Sequence, residues 1–200
     1  TVQTTMRNAL GHMNETGYNA QQASGGWAWG TYSSPSLFYT LYPNYVITEL
    51  LRDDDLEFWD LGPSMNGIDL NKSANWLINR QNLQGHWSDW GYISNDAEWT
   101  GFMSENLVNE YPYLNDAMKE AVNASLEKSC GWLLKYEPDA QQPQTISYAI
   151  FGLIAIRDHG IGDAETIDGK ISDLKEQLWK KSTGSGADFY WSDEYGWDTY

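Results

Sequence analysis

Two hundred residues suffice for one domain with a sizeable core, or at most two small ones, and an apolar fraction of 41% argues against disorder. With 28 acidic residues against 12 basic, the net charge of -16 argues against nucleic acid and anionic membrane partners, which both need Lys/Arg patches. It suits a solubilising outer surface, with cation binding as the sharper alternative. The single Cys130 excludes an internal disulfide framework and cannot hold zinc alone, and no stretch approaches the roughly 18 apolar residues of a membrane span.

The aromatic content departs from the ordinary: 11 Trp and 13 Tyr stand against 5 Phe. Trp and Tyr join a large apolar body to a polar edge, which suits cavity walls and interfaces.

In chain order, a first helix is expected over residues 2–14, followed by the loop Gln21-x-x-x-Gly25-x-Trp27 and its continuation Ala28-Trp29-Gly30-x-Tyr32. A helix over 43–53 places Pro43 in its first turn, where the missing N–H costs nothing. The run Asp53-Asp54-Asp55 follows at the helix end, without an EF-hand loop around it. Residues 69–82 carry a helical pattern with Leu70, Ala74, Trp76 and Leu77, and lead into a second loop, Gln81-x-x-x-Gly85-x-Trp87, continuing as Ser88-Asp89-Trp90-Gly91-Tyr92.

Further helices are expected over 96–110, over 113–136 (with Met118, Val122, Leu126, Cys130 and Leu133 on one stripe), over 144–158 and over 165–181. Cys130 reads as a small buried thiol. The 144–158 segment is nearly apolar throughout and ends towards Gly160, a natural helix stop. Near the C-terminus the wording of the loops returns as Trp191-Ser192-Asp193, then Tyr195, Gly196 and Trp197. Aligning Trp132-Leu133-Leu134 with Trp76-Leu77-Ile78 puts Glu137, Gln141 and Pro143 where Gln81, Gly85 and Trp87 stand, so a third loop has lost the signature. No stretch shows convincing strand alternation.

This is a degenerate repeat, an apolar helix alternating with an amphipathic one, in about four units: residues 1–60, 61–112, 113–160 and 161–200. Such pairs bury their faces only against neighbours, as in a solenoid or ring. The whole chain reads as a single all-α domain, or a fragment of one. It stops where a fourth loop would hand over to its next helix, so a longer toroid is expected.

The Gln-x-x-x-Gly-x-Trp loop following a Trp-Leu helix resembles the QW repeat of squalene–hopene cyclases and the wider terpene-cyclase/prenyltransferase superfamily. That resemblance implies an α/α toroid, here a partial ring, and assigns Gln21, Gly25, Trp27, Gln81, Gly85 and Trp87 to holding helix junctions. A physical account is available: the Gln amide donates and accepts at once, the Gly takes a tight turn, and the Trp covers the junction. The chemistry of that superfamily does not carry over. Asp53-Asp54-Asp55-Leu56 departs from the cyclase Asp-x-Asp-Asp acid, no Asp-x-Cys element precedes Cys130, and Cys130-Gly131-Trp132 is not a thioester motif. His12, His86 and His159 are scattered.

The leading expectation is a non-catalytic extracellular or cell-surface module for adhesion, assembly or ligand binding, with no cofactor and no metal. Trp29, Tyr32, Trp90, Tyr92, Trp191, Tyr195 and Trp197, with Asp89 and Asp193, are the candidate ligand contacts, and carbohydrate is the ligand they would suit. The alternative is that these aromatics only pack the junctions. Asn14, Asn71 and Asn123 begin glycosylation triplets, which favour a secreted or displayed protein. Two other classes stay open. One is an enzyme on the same toroid, either cyclase-like or a glycosidase or lyase using carboxylates among Asp89, Asp96, Glu98 and Asp193. The other is a filament or surface-layer subunit that self-associates or meets another surface protein.

Overall fold

The computed structural model describes residues 21–28, 33–52, 68–89, 96–138, 143–180, 191–192 and 198–199. Among these residues the chain is helical, as the sequence predicts. The helices are α1 (Leu37–Arg52), α2 (Leu70–Ile78), α3 (Asp96–Glu110), α4 (Asp116–Leu133), α5 (Pro143–Asp158) and α6 (Ala164–Lys180). A 3-10 turn, Tyr111–Tyr113, joins α3 to α4. Two-residue strands, Trp191–Ser192 and Asp198–Thr199, pair antiparallel with Trp191 opposite Thr199. The expected helix over 2–14 and the Asp53-Asp54-Asp55 run lie outside the described residues.

Local chemistry fixes the helix starts. A side-chain oxygen accepts from the N–H three residues on at Ser36 (Tyr39, 3.2 Å), Asp69 (Lys72, 3.2 Å), Asn115 (Met118, 2.9 Å) and Asp163 (Thr166, 2.9 Å). Each satisfies one of the donors a helix leaves open at its first turn, worth about 1 kcal/mol. Helix α5 begins instead on Pro143, whose fixed φ suits a first helical position. Its end is a glycine stop: Gly160 has φ +86°, its N–H donates to the Arg157 carbonyl and that of Ile161 to the Ile156 carbonyl.

Pro43 requires a correction. It stands inside α1, not in its first turn, because the Ser36 cap starts the helix six residues earlier than expected. The expected helix from 113 likewise starts at Asp116, since Pro112 sits in the 3-10 turn and Asn115 supplies the cap.

The chain divides into two compact units. Unit 1 comprises residues 1–80 and 109–122, and its buried side chains include Trp27, Leu37, Leu41, Ile47, Ala74, Trp76 and Leu77. Unit 2 comprises 81–108 and 123–200, where Trp87, Trp99, Met103, Leu126, Leu133, Ile146, Leu153 and Ile167 are buried. In unit 2, α5 packs along α6. It also meets α3 through glycines: a Cβ on Gly152 would lie 2.5 Å from the Gly101 Cα, so only two bare backbones fit there.

Candidate functional site

The two intact motif loops close in the same way, each within its own unit. In unit 1, Gln21 Nε2 donates to the carbonyls of Gly25 and Asp69 (both 2.9 Å), while its Oε1 accepts from the Asp69 N–H at 2.6 Å. In unit 2, Gln81 Nε2 donates to the Gly85 and Ser125 carbonyls (both 3.0 Å) and to Ser129 Oγ, and its Oε1 accepts from the Ser125 hydroxyl at 2.9 Å. The amide therefore joins its own loop to a helix 44 or 48 residues further along the chain.

Both glycines take positive φ, +101° at Gly25 and +99° at Gly85. Each also lies against the backbone of that same helix: a Cβ on Gly85 would meet the Lys128 carbonyl oxygen at 2.5 Å, and one on Gly25 would strike the Lys72 carbonyl. The backbone turn repeats bond for bond, with Gln22 and Gly26 paired as Asn82 and His86 are. Both tryptophans are buried, and each N–H donates to a buried threonine hydroxyl: Trp27 to Thr40 at 3.0 Å, Trp87 to Thr100 at 3.2 Å. Those hydroxyls in turn donate to the carbonyls four residues back, Ser36 and Asp96.

Beyond this shared set, unit 1 holds a polar cluster the sequence did not suggest. The indole Nε1 of Trp27 donates to Asn44 Oδ1 at 3.2 Å, which fixes the orientation of that amide. Asn44 Nδ2 can then donate both hydrogens, to Ser73 Oγ at 2.5 Å and to Glu110 Oε1 at 2.6 Å. Glu110 is fully buried, and its Oε2 has no hydrogen-bond partner among the described residues. Burial pushes its carboxyl well above the usual carboxylate range, with the Ser73 hydroxyl pulling weakly the other way. In unit 2, Glu98 is also buried and its pKa raised by desolvation, opposed by a 2.8 Å hydrogen bond from Gln144.

Of the expected ligand contacts, Trp29, Tyr32, Trp90, Tyr92, Asp193, Tyr195 and Trp197 lie outside the described residues, and of Trp191 only the short strand is described. Asp89 is half-buried. Asn14 is outside the described residues. Asn71 stands in the first turn of α2, its Oδ1 accepting from the Asn115 N–H, and Asn123 lies inside α4 with Oδ1 3.0 Å from His159 Nε2. Burial lowers the His159 pKa. Cys130 is a buried free thiol, and burial pushes its pKa up, which disfavours the thiolate.

Among the described residues, His86 makes the nearest approach to a catalytic arrangement. Its Nδ1 lies 3.3 Å from Asp96 Oδ2 and 3.4 Å from Ser88 Oγ. A serine–histidine–aspartate relay needs serine and carboxylate on opposite ring nitrogens, and here they share one. The other nitrogen, Nε2, faces Asn82 Nδ2 at 2.7 Å. Asn82 Oδ1 is fixed by the N–H groups of Gln84, Gly85 and His86, so its amide nitrogen donates and Nε2 accepts. The ring is a strut of the loop.

Sequence reasoning missed Asn44, Ser73 and Glu110, although one signal was visible. A threonine follows each motif tryptophan by thirteen residues, and Asn44 or Ser104 follows four later. Ser104 is buried like Asn44, and its hydroxyl has no partner among the described residues. No protein-family model matches the chain, and no curated protein matches it.

Proposed function

We propose that the chain is a non-catalytic helical-repeat module of the α/α-toroid type, similar to the terpene-cyclase QW-repeat superfamily. Displayed outside the cell, it binds carbohydrate through the aromatic loops that follow each motif. One observation carries this reading: both intact motif loops spend Gln, Gly and Trp on the same internal hydrogen bonds, so the repeat supports architecture and leaves chemistry to whatever follows it. The buried acids add support. Glu98 and Glu110 are each bonded to neutral partners within their own unit, Gln144 and Asn44. The charge of -16 and the solvated acidic surface suit a protein working in the open.

Affinity electrophoresis through neutral polysaccharides, run beside an assay for released reducing ends, tests the proposal. Retarded migration without release is expected, and Trp29→Ala with Trp90→Ala should abolish the retardation. Release of reducing ends, or migration unaffected by every polysaccharide, would refute it.

A further inference from the structure

The two junctions part company at one place. In unit 1, Gly26 lies flat against Trp76: a Cβ there would meet Cε2 of that ring at 2.6 Å and the Pro35 Cβ at 2.7 Å. Arg80, four residues after Trp76, lays its guanidinium carbon 4.7 Å from the ring centroid, and Trp76 is only 6% exposed. In unit 2 the residue five after the motif glutamine is His86, where unit 1 has Gly26. The residue four after the matching Trp132 is Tyr136, where unit 1 has Arg80.

Both changes replace a closing group with a ring. His86 lies 4.7 Å from Trp132, and Tyr136 lies 5.9 Å from it with planes only 17° apart. All three rings are half-buried. Polar groups flank the two ends of this set: Asp96 and exposed Ser88 beside His86, and exposed Glu137, next to Tyr136 in the chain and held by Lys170 at 3.2 Å.

We propose that His86, Trp132 and Tyr136 form a contact site for a neutral saccharide, separate from the aromatic loops; this rests on the carbohydrate-binding reading above. A sugar presents an apolar C–H face and a rim of hydroxyls. Half-wet aromatic rings take the first, and planar or hydroxyl side chains at their edge, here Asp96, Ser88 and Glu137, take the second. Two carboxylates at the rim and a net charge of -16 disfavour an anionic ligand. Unit 1 closes with Gly against Trp under Arg, and unit 2 departs from it on two separate chain segments, each time towards a partly buried ring.

The substitution Tyr136→Arg tests this by restoring the cation that unit 1 uses, and His86→Gly by restoring its glycine. Titration calorimetry of the full chain uses cellohexaose, chitohexaose and mannohexaose as probes, with circular dichroism melts to confirm folding. At least one probe should bind the parent chain, and either substitution should weaken it about tenfold or more, the share of one stacked ring. Should one variant fail to fold, the other decides. Undiminished affinity in a folded variant, with binding lost in Trp90→Ala, overturns this site and leaves the loop reading standing. Failure of the parent chain to bind any of the three overturns this site, while the carbohydrate reading itself falls only on the electrophoresis result above.

Discussion

Glu110 carries the largest electrostatic cost that a single described residue of unit 1 reveals. Its carboxyl is fully buried, one oxygen meets the Asn44 amide, and the other meets no donor among the described residues. The neutral acid is the form such a place tolerates. In the unfolded chain the group ionises in the ordinary carboxylate range; folded, it does so only well above it. Between those two values the folded state holds a proton that the unfolded state has released, so stability falls as pH rises. Glu110→Gln keeps the shape without the charge and removes that slope. Urea unfolding should show the variant gaining on the parent as pH rises from about 4 to 8. Parallel curves would mean that Glu110 ionises at no cost. Nothing in the local sequence announces this residue: beside Tyr111 and Pro112 at a helix end it reads as a solvated charge. Its burial is set by Asn44 and Ser73, 66 and 37 residues away, and pairing at that range is invisible to periodicity.

At the scale of elements, the loops were far more legible, because their chemistry is written within seven residues. Gln to join, Gly to turn and Trp to cover are all visible in the structure, and a local likeness accompanies the match of Trp132-Leu133 to Trp76-Leu77. Lys72 and Lys128, four residues before each tryptophan, back their respective glycines. What stayed hidden was reach, since the glutamine grips a helix more than forty residues on. Helix starts were misjudged where a lone polar cap decides them, as Ser36 does ahead of Pro43. The glycines give a clean contrast. Gly85→Ala forces a positive φ on a side chain that also meets the Lys128 carbonyl, and should cost more than about 1 kcal/mol. Gly169→Ala, inside α6 with nothing near the added methyl, should stabilise by about 0.5–1 kcal/mol. Chemical denaturation of both variants reads the difference directly, and a loss from Gly169→Ala would refute the account of α6.

For the whole molecule these pieces add to a preference for mild acid. Glu98 and Glu110 both have raised pKa values, so each contributes stability that fades as pH climbs above the ordinary carboxylate range. The 28 acidic residues facing only 12 basic ones repel one another at neutrality, and that repulsion relaxes towards the pI near 4.3. His159 pulls the other way: burial depresses its pKa, so its contribution is present above the usual histidine value and lost as pH falls through the lower one. Two buried acids and the collective charge should outweigh one partly buried imidazole. The melting temperature is therefore expected to rise from pH 8 to about pH 5. Below that it should fall again, as exposed Asp163 and Glu176, both with lowered pKa values, are protonated and lose their Thr166 and Lys180 partners. Salt separates the two causes. Surface repulsion is screened within a Debye length of about 10 Å at 0.1 M, whereas a buried carboxyl is hardly screened at all. Added salt should thus raise the melting temperature at pH 8 more than at pH 5. In a Glu98→Gln/Glu110→Gln double variant at high salt, the fall in stability from pH 5 to 8 should vanish and leave the opposite, smaller slope of His159. If the double variant keeps the full parental slope at high salt, the buried acids are not its source, and groups elsewhere in the chain must hold the protons.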